Sequence, residues 1–404
     1  MNLSNILSET NIVLGVTGSI SAYKSLTLAS RLTQLGANVN VILTEGGSEF
    51  ITPLSYRTIT QNPVVTNSFD VNSAYSVNHV YLAKKTDVVI VYPATANSIA
   101  KLAVGICDNP LATTILSTTA PIIIAPAMET NMFENSITQS NIENLKTRGF
   151  HFIGPDAGHL ASGALGLGRL TEPEEMLGHI QFILGKTRGD FSGKKIVITA
   201  GGTQEPVDPV RILTNLSSGK MGYSLATAAR DRGATVTLIS APVSLSAPIG
   251  TTIHEVKTAE DMLKSVHENI KEADAIIMAA AVADFKPTNS VGKKIKKSDD
   301  NFTMRLSPTS DILKSISDTK IIKVGFAAET DNLIENAKSK ITSKKLAMII
   351  ANDVTIPGAG FGSDENQISI IDQDLNVESL PLNSKYEISH TILDRLLPLL
   401  QRFK

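Results

Sequence analysis

The sequence has no tryptophan and a single cysteine, Cys107, and aromatic residues make up only 5% of its 404 residues. One cysteine cannot form a disulfide within the chain, and it excludes a zinc site built from cysteines alone. Few aromatic rings are available for the base stacking that single-stranded nucleic-acid binding uses. The formal net charge of −2 provides no general attraction to nucleic acid or anionic lipid. The composition therefore predicts no nucleic-acid partner.

Long apolar segments are also absent from the sequence. The N-terminal residues MNLSNILSETN are polar and lack the charged start and apolar run of a signal peptide. The most apolar window, Ala120–Met128, is far too short to cross a bilayer. We therefore expect a soluble, cytoplasmic protein that does not bind membranes. Its 404 residues exceed the size at which a single core stops growing, which predicts two domains.

The order of strand and helix patterns predicts an α/β fold in both halves. Strands are predicted at 11–17, 38–44, 86–92 and 121–125 in the first half, and at 195–199, 235–240, 274–279, 321–326 and 347–351 in the second. Continuous apolar strands that alternate with helices indicate parallel sheets covered on both faces. We expect residues 367–372 and 375–380 to form a hairpin at the edge of the second sheet. Residues 385–404 are expected to form a final amphipathic helix.

Three segments lack a regular apolar pattern. The glycine-rich segment His159–Arg169 has no periodicity and is predicted to be a mobile flap. The polar segment 185–195 indicates a domain boundary, which gives domains at 1–189 and 190–404. The charged segment 292–306 is expected to leave the second sheet as a short ribbon that covers the site.

Two glycine turns at strand–helix junctions indicate anion sites. The run 195–222 opens with an apolar strand, breaks at the glycine pair 201–202 and reaches a Ser-Ser-Gly turn at 217–219 before a helix. The run 12–20 follows the same order. Backbone N–H groups and the helix dipole make such turns suited to phosphate. Neither turn matches G-x-G-x-x-G, so a nicotinamide-dependent dehydrogenase would lack its fingerprint.

Taken together, segments throughout the chain resemble the family of bifunctional coenzyme A biosynthesis proteins. The segments that carry the resemblance are GVTGSISAYKS (15–25), LTEGGSEFITPLS (43–55), NHVYLAKKTDVVIVYPATANSIAKLAVGICDNPL (78–111), APAMETNM (125–132), ITAGGTQEPVDPVRILTNLSSGKMG (198–222), AAAVADF (279–285), KKIKK (293–297), GFAAET (325–330) and ANDV (351–354). The resemblance implies two Rossmann-like domains, an N-terminal flavodoxin-like flavoprotein domain and a C-terminal parallel-sheet ligase domain. It implies that phosphopantothenate is joined to cysteine and that the product is decarboxylated to phosphopantetheine. The implied requirements are CTP and Mg²⁺ for ligation and FMN for decarboxylation.

In the second half, the resemblance assigns residues to the ligase reaction. A carboxylate needs a leaving group before an amine attacks it, and the family attaches a nucleotide monophosphate from CTP. Asn215 matches the asparagine that holds the acyl-nucleotide, Arg211 is assigned to a phosphate, and Lys294 matches the lysine that steadies the nucleotide phosphates. The residues assigned to CTP are Asp284, Lys294, Thr309, Ser310, Asp311, Ile312, Leu313, Phe326, Lys340 and Lys344. The residues assigned to phosphopantothenate are Ser217, Ser218, Gly219 and Ala281.

Read without the resemblance, these ligase residues have plainer interpretations. Asn215 is equally consistent with a cap of the next helix, and Arg211 with a surface ion pair to Asp208. Residues 293–297 would usually form a solvated basic turn. The two helix lysines assigned to CTP lie one turn apart, on one side of a helix that could equally be an exposed face.

In the first half, the resemblance assigns an FMN site and catalytic residues. The residues assigned to FMN are Gly18, Ser19, Thr44, Thr95, Ala96 and Asn97. His79 matches the catalytic histidine of the family, although a lone histidine at a helix start is more often structural. An imidazole titrates near neutral pH, which suits thiol or carboxylate handling. The substrate is assigned to Asn131 and Met132.

Two positions depart from the family pattern. Glu129 stands where an asparagine that grips the substrate carboxylate is expected, and a carboxylate there would repel the substrate unless it is protonated or turned away. Asn131, two positions on, is the candidate replacement. Ser162 stands where a flap cysteine protonates the decarboxylated product. A hydroxyl is a much weaker acid than a thiol, so this step should be slowed or use another donor.

These departures leave alternatives to a bifunctional enzyme. The chain could retain only ligase chemistry, with a flavin domain degenerate at Glu129 and Ser162. It could be a regulatory binding protein, since phosphatase inhibitors share the flavoprotein resemblance, or a nicotinamide oxidoreductase built on the second half. In the family the flavin site lies between subunits and the ligase halves pair, so we expect a homo-oligomer. Its other expected partners are phosphopantothenate, cysteine and CTP, and no residue is assigned as a metal ligand.

Overall fold

The chain folds into two compact units, Met1–Leu184 and Gly185–Lys404. The structure, a computed structural model, describes residues 5–69, 78–296, 303–329, 332–353 and 362–402. Each unit contains a sheet of mainly parallel strands with helices packed against it. The predicted α/β fold class is confirmed.

The first unit is built on a six-stranded parallel sheet. Its strands are β1 (Asn11–Val16), β2 (Asn38–Leu43), β3 (Val64–Val65), β4 (Val88–Ala94), β5 (Ile122–Pro126) and β6 (His151–Phe152). The order across the sheet is β3-β2-β1-β4-β5-β6, with every pair parallel. This is the doubly wound order, in which connections run in opposite directions from a switch point between β1 and β4. The four strands predicted in this half are confirmed, with small shifts at their ends.

Helices cover both faces of this sheet. They are α1 (Tyr23–Gln34), α2 (Glu45–Ser48), α3 (Pro53–Thr60), α4 (Asn78–Lys85), α5 (Ala96–Val104), α6 (Pro110–Ser117), α7 (Thr130–Glu134), α8 (Ser136–Thr147) and α9 (Pro173–Arg188). Successive side chains of a strand point to opposite faces. Accordingly Ile12 and Leu14 join one apolar cluster, while Val13 joins the cluster on the other face. Two buried faces explain why these strands read as continuous apolar runs.

An antiparallel hairpin occupies most of the segment that was predicted to be a mobile flap. Strands β7 (Asp156–His159) and β8 (Leu165–Arg169) pair along their length, although no strand was predicted there, and the mobility of the segment stays a prediction. Glycine lowers the strand signal in the sequence, but here it permits close backbone contact. Gly168 has a φ of +140°, and a Cβ there would lie 2.0 Å from the carbonyl oxygen of Met128. The hairpin backbone is therefore seated directly on the chain that follows β5.

The second unit is built on an eight-stranded mixed sheet. The strands of this unit are β9 (Lys195–Ala200), β10 (Gln204–Pro206), β11 (Ile212–Thr214), β12 (Thr235–Ser240), β13 (Thr252–Glu255), β14 (Ala275–Met278), β15 (Phe285–Pro287), β16 (Leu306–Pro308), β17 (Ile322–Glu329), β18 (Met348–Asp353), β19 (Glu365–Asn366), β20 (Ile368–Asp372), β21 (Val377–Ser379) and β22 (Asn383–Ser384). The order in the sheet is β13-β12-β9-β14-β17-β18-β20-β21. The first six strands are parallel and the last two are antiparallel. The five predicted strands and the predicted edge hairpin are confirmed.

Five α-helices accompany this sheet. They are α10 (Lys220–Asp231), α11 (Ala259–Asn269), α12 (Ile312–Ser315), α13 (Leu333–Lys344) and α14 (Lys385–Arg402). Among the described residues near the predicted ribbon at 292–306, strand pairing occurs at its flank, where β15 pairs with β16. Residues 297–302 lie outside the described part, as do Thr330 and Val354 of the quoted motifs. Within the described ranges, no helix combines the length and apolarity needed to traverse a bilayer.

Candidate active sites

The first unit has a cavity of about 980 Å³ at the carboxyl ends of its strands. The loops that follow β1, β2, β4 and β5 line it. In a doubly wound sheet these loops separate at the switch point and open a crevice there. The lining includes all six residues assigned to FMN, namely Gly18, Ser19, Thr44, Thr95, Ala96 and Asn97.

Side-chain oxygens organise the helix starts that face this cavity. Thr44 Oγ1 accepts a hydrogen bond from the N–H of Gly47 at 3.2 Å, and Thr95 Oγ1 accepts one from Ser98 at 3.3 Å. Thr17 Oγ1 accepts from the N–H of Thr95 at 3.1 Å, which ties the loop after β1 to the loop after β4. These caps stabilise short helices whose positive ends point toward the cavity.

The hairpin β7–β8 closes one side of the same cavity. Both His159 and Ser162 are exposed residues of the cavity lining. At the base of the hairpin, the Glu172 carboxylate accepts from Lys24 Nζ at 2.9 Å and from Arg169 Nη2. The hydrogen bond from Lys24, with that from Arg169, holds the pKa of Glu172 below its usual value despite partial burial. The buried Lys24 thus anchors the hairpin through an ion triad.

Glu129 lies in the cavity lining, and its carboxylate accepts hydrogen bonds from the start of a helix. Its Oε2 accepts from the N–H groups of Asn131 at 2.7 Å and Met132 at 3.3 Å, at the first turn of α7. Its Oε1 accepts from Asn131 Nδ2 at 3.2 Å. Met132 lines the cavity, whereas Asn131, the candidate replacement for the missing asparagine, does not.

His79 is a half-buried residue of α4. It is not among the residues that line the cavity of the first unit. The structure of a single chain therefore does not bring His79 together with the residues assigned to FMN.

The second unit has a cavity of about 620 Å³. It lies at the carboxyl ends of β14, β17 and β18, and loops before α10 and α12 complete it. Of the residues assigned to the ligase, it is lined by Asn215, Ser217, Ser218, Gly219, Ala281, Asp284, Thr309, Ser310, Asp311, Ile312, Leu313, Phe326, Lys340 and Lys344.

The loop that follows β14 is held in place by the end of β9. Thr199 Oγ1 accepts from the N–H of Ala280 at 3.1 Å, and the N–H of Ala281 donates to the Gly201 carbonyl at 2.8 Å. Thr199 lies in β9, and Gly201 belongs to the glycine break that directly follows this strand in the sequence. The side of the cavity that carries residues 279–284 is therefore fixed by hydrogen bonds from a neighbouring strand.

Asn215 bridges the turn before α10 to the loop after β14. Its Nδ2 donates to the Val282 carbonyl at 3.1 Å. Gly219, with a φ of +75°, occupies the N-cap position of α10, and no side chain caps this helix. The alternative of Asn215 as a helix cap is therefore wrong. The N–H groups of Ser217 and Ser218 have no backbone acceptor within the described residues, which leaves them directed to a ligand or solvent.

The two helix lysines assigned to CTP both line this cavity. Lys344 Nζ lies 2.8 Å from Asp311 Oδ2, and Asp311 also accepts from the N–H of Lys314 at the start of α12. Burial pushes the pKa of Asp311 up, but the ammonium of Lys344 and the N–H of Lys314 outweigh it and lower the pKa. Lys340, one turn earlier, adds a second cation, so the exposed-face alternative does not describe α13.

Arg211 and Lys294 do not line the ligase cavity. Arg211 Nη1 lies 2.6 Å from Asp208 Oδ2 and 3.1 Å from the Ile295 carbonyl. Burial raises the pKa of Asp208, but N–H groups of Val210, Ile295 and Arg211 and the Arg211 guanidinium lower it to about 2. The ion pair, which was the plainer interpretation of Arg211, is the observed arrangement. Lys294 is exposed on the segment that this pair holds.

Four lining residues with polar side chains were not assigned from the sequence: Lys220, Asn352, Asn366 and Lys385. Lys220 Nζ donates to the Gly362 carbonyl and to Asp364 Oδ1, both at 2.7 Å. Two of these residues lie in quoted motifs, SSGK and ANDV, and these motifs were the available signal. The other two follow residue 361, where no pattern in the sequence points to the cavity.

In this group Lys385 is buried, and Asn352 is half-buried with its side-chain oxygen buried. Lys385 Nζ donates to the carbonyls of Ser363 and Glu365. Burial, with the nearby charge of Lys220, lowers the pKa of Lys385. The buried Oδ1 of Asn352 has no hydrogen-bond partner among the described residues, so a ligand in the cavity could donate to it.

Comparisons with known families and proteins match both units. Residues 191–399 match the DNA/pantothenate metabolism flavoprotein C-terminal domain family, and residues 2–185 match the Flavoprotein family. The Coenzyme A biosynthesis bifunctional protein CoaBC of Bacillus subtilis (strain 168) is 43% identical over 395 residues, which covers 97% of each chain. A Cysteine/Cysteine sulfinic acid decarboxylase from an unknown prokaryotic organism is 42% identical over 357 residues, covering 86% of this chain and 99% of that protein.

Among solved structures, the crystal structure of the C-terminal domain of a CoaBC protein is 38% identical. It covers 53% of this chain and 99% of that chain, with a TM-score of 0.46. The full-length identity to the Bacillus subtilis protein and the two family matches confirm the resemblance drawn from the motifs. The chain belongs to the family of bifunctional coenzyme A biosynthesis proteins, CoaBC.

Proposed function

We propose that the chain joins 4'-phosphopantothenate to cysteine in its second unit and decarboxylates phosphopantothenoylcysteine in its first, as an enzyme of coenzyme A biosynthesis with ligase and decarboxylase activities. The observation that carries this proposal is the convergence of the family-matched residues on a cavity at the strand ends of each unit. Relatives that match over nearly the whole chain carry the name of the bifunctional protein.

The charge of the ligase cavity supports a triphosphate substrate. Four lysines line it against two aspartates, Asp284 and Asp311. The N–H groups of Ser217 and Ser218, at the positive end of α10, would hold the phosphate of phosphopantothenate. CTP is the nucleotide that the family uses, and the cation excess would offset its phosphates.

Among the described residues no group of three or more His, Cys, Asp or Glu side chains forms a metal site. Mg²⁺ would therefore bind mainly through the nucleotide phosphates and water.

The ligase reaction proceeds in two displacements. A phosphopantothenate carboxylate oxygen attacks the α-phosphorus of CTP, an O–P bond forms, and pyrophosphate leaves. The cysteine amine then attacks the activated carbonyl carbon, a C–N bond forms, and CMP leaves. Asn215 is held over the site by its bond to Val282, so its Oδ1 would accept from the incoming amine and orient it.

The cavity of the first unit fits FMN. Its volume suits a cofactor of that size, and the starts of α2 and α5 present N–H groups for a phosphate. Gly18 lets two loops approach, since a Cβ there would lie 3.0 Å from the Gly46 backbone. FMN, when bound, would take up two electrons from the thiol, which makes loss of CO₂ feasible, and would return them so that the product is a saturated thiol. Gly18, Ser19, Thr44 and residues 95–97 would hold it, and His79 from a neighbouring subunit of a homo-oligomer would handle the substrate proton.

A reaction of purified protein with phosphopantothenate, cysteine, CTP and Mg²⁺ tests the ligase. Release of pyrophosphate and formation of phosphopantothenoylcysteine are the expected results, and no pyrophosphate would refute the assignment. Calorimetry with CTP and with NADPH separates the ligase from a nicotinamide enzyme, since binding of CTP alone is expected.

Phosphopantothenoylcysteine added to FMN-loaded protein tests the decarboxylase. The expected result is release of CO₂. Ligation without CO₂ release would favour the second candidate, a ligase with a degenerate flavin domain, which the substitutions at Glu129 and Ser162 motivate. Sedimentation of the protein checks the expected homo-oligomer.

A further inference from the structure

The decarboxylase reaction needs an acid that the flap position does not provide. The carbon that loses CO₂ keeps the bonding electron pair, and it must take up a proton before a saturated product can leave. Ser162 stands at the flap position, and a serine hydroxyl is a poor acid at neutral pH. Another proton donor in the same cavity is therefore required. The inference below rests on the decarboxylase activity proposed above.

The cations that line the first-unit cavity are committed to ion pairs. Lys24 pairs with Glu172 at 2.9 Å, Lys101 pairs with Asp108 at 2.6 Å, and Arg169 also binds Glu172. Ammonium and guanidinium groups hold their protons too tightly to act as acids near neutral pH. None of the three is suited to protonate a carbon.

The carboxylates of the lining act as acceptors. The hydrogen bond from Lys101 keeps the pKa of Asp108 low. Glu129 accepts two N–H groups at the start of α7. Glu45 is the first residue of α2, where the helix dipole favours a charged carboxylate. The phenol of Tyr23 is a weaker acid than an imidazolium. Among the described residues of this chain that line the cavity, these groups leave one side chain of suitable chemistry, His159. His79 of the partner subunit is already assigned above to a substrate proton and is not counted as the acid of this later step.

We propose that His159 is the catalytic acid of the decarboxylase. It ends β7, three residues before Ser162, and both side chains line the cavity from the same hairpin. Among the ordinary side chains, an imidazole is the one that exchanges its proton between pH 5 and 8. An acid on the hairpin that carries residue 162 meets the reacting carbon from the side where the family places its cysteine.

The proton transfer balances without a further reagent. An N–H bond of the His159 imidazolium breaks and a C–H bond forms at the carbon that lost CO₂. The electron pair released by decarboxylation makes the new bond, and the imidazolium becomes a neutral imidazole. Water then returns a proton to the ring. No oxidation or reduction occurs in this step.

The product ratio of three variants tests the proposal. FMN-loaded wild type, His159→Gln, Ser162→Cys and the double variant receive phosphopantothenoylcysteine, and CO₂ and phosphopantetheine are both measured. We expect His159→Gln to lower phosphopantetheine formed per CO₂ by at least about tenfold, with the unsaturated thiol released instead. Ser162→Cys, which restores a thiol, should return the ratio toward the wild-type value in the His159→Gln background. His151→Gln, an exposed histidine of the same unit outside the lining, is the matched control and should change nothing.

Each other outcome of this experiment is decisive. A wild-type ratio in His159→Gln would overturn the role of His159. Failure of Ser162→Cys to rescue the double variant would also overturn it, because the defect would then not be a missing acid. If wild type releases no CO₂, the decarboxylase assignment fails and the inference falls with it. If wild type releases CO₂ but forms no phosphopantetheine, the assignment stands and His159 is not an effective acid.

A second measurement does not depend on turnover. Diethyl pyrocarbonate modifies accessible histidines, and mass spectrometry reports each site. Phosphopantetheine at saturating concentration should protect His159 and leave the labelling of His151 unchanged. Equal labelling of His159 with and without phosphopantetheine would place this side chain outside the occupied site and contradict the proposal.

Discussion

The cavities of the two units share a location in the fold and differ in charge. Both lie at the carboxyl ends of parallel strands, where loops diverge. In the first unit three cations face three carboxylates, and helix starts capped by Thr44 and Thr95 provide the remaining polarity. In the second unit four lysines face two aspartates. Under the function proposed above, the same strand-end architecture would bind a cofactor with one phosphate through N–H groups, and a triphosphate through an excess of ammonium groups.

Loss of His79 should affect only the first unit and is the largest expected effect. His79→Asn should reduce CO₂ release by about 10³-fold, since it removes a proton-handling imidazole. Ligation, followed by pyrophosphate release, should remain at the wild-type rate. Lys84→Gln, at an exposed position of the same helix, is the control. CO₂ release within about twofold of wild type would remove His79 from the mechanism.

A substitution at Asn215 is expected to impair ligation and to leave decarboxylation unchanged, which is the opposite of the His79 variant. Asn215→Asp replaces the Nδ2 donor to Val282 with a charge and should lower phosphopantothenoylcysteine formation roughly 300-fold. Pyrophosphate release in a single turnover should persist, because activation precedes capture by cysteine. Decarboxylation of added phosphopantothenoylcysteine should be unchanged. Val210→Ala, at an exposed position of the turn between β10 and β11, is the control. Equal loss of pyrophosphate and product in Asn215→Asp would contradict this role.

Acid should destabilise the second unit through His390. Burial lowers the pKa of His390 to about 4, with a contribution from the Arg232 charge that Asp190 opposes. The buried His390 ring packs against the Tyr386 ring, with 4.6 Å between the two ring centroids. Neither nitrogen of the His390 ring has a hydrogen-bond partner among the described residues. Below the ordinary pKa of histidine, His390 binds a proton in the unfolded chain but stays neutral in the folded chain. The free energy of unfolding should therefore fall by about 3 kcal/mol between pH 6.5 and 4.

Hydrogen exchange read by mass spectrometry resolves this effect by unit. Protection of α10 and α14 should decline between pH 6.5 and pH 4 after correction for intrinsic exchange. His390→Phe should remove the part of the decline that comes from this proton. His254→Gln, at an exposed position, should leave it unchanged. A His390→Phe variant with the full wild-type decline would show that other groups cause it.

Salt should weaken ligand binding at the two cavities to different extents, and this is the smallest of the expected effects. Raising the ionic strength from about 0.05 to about 0.5 M screens charges beyond a few ångströms. The KM for CTP should rise roughly tenfold, because an excess of lysines attracts the triphosphate. FMN affinity should change less, because the first cavity has balanced charges. Equal salt dependence of the two affinities would show that the charge difference has no role in binding.

The sequence predicts the sheets and most of the lining of both cavities for one physical reason. Apolar strands can be recognised locally, and the residues just after parallel strands must meet at one edge of the sheet. Thr95 and Ala281 are therefore placed correctly by their position after β4 and β14. The hairpin β7–β8 was missed because its glycines weaken the strand pattern, while their backbone contacts with the chain after β5 are not local.

The sequence alone could not predict which acceptor each polar side chain would bind. Arg211 is paired with Asp208 three residues away, although a ligand phosphate would satisfy the same guanidinium. Lys385 reaches the cavity from the start of α14, a position with no strand end or motif to indicate it. These choices depend on which acceptor the folded backbone brings within reach. Periodicity in the sequence carries no information about that distance.

Glu129 shows what such a choice means for comparing related enzymes. Aligned column by column, an acid in place of an amide looks like a lost recognition element. In three dimensions the carboxylate accepts hydrogen bonds from the N–H groups of Asn131 and Met132, so it caps the start of α7. An acid that looks like a lost recognition element in an alignment can thus have a structural role in the fold.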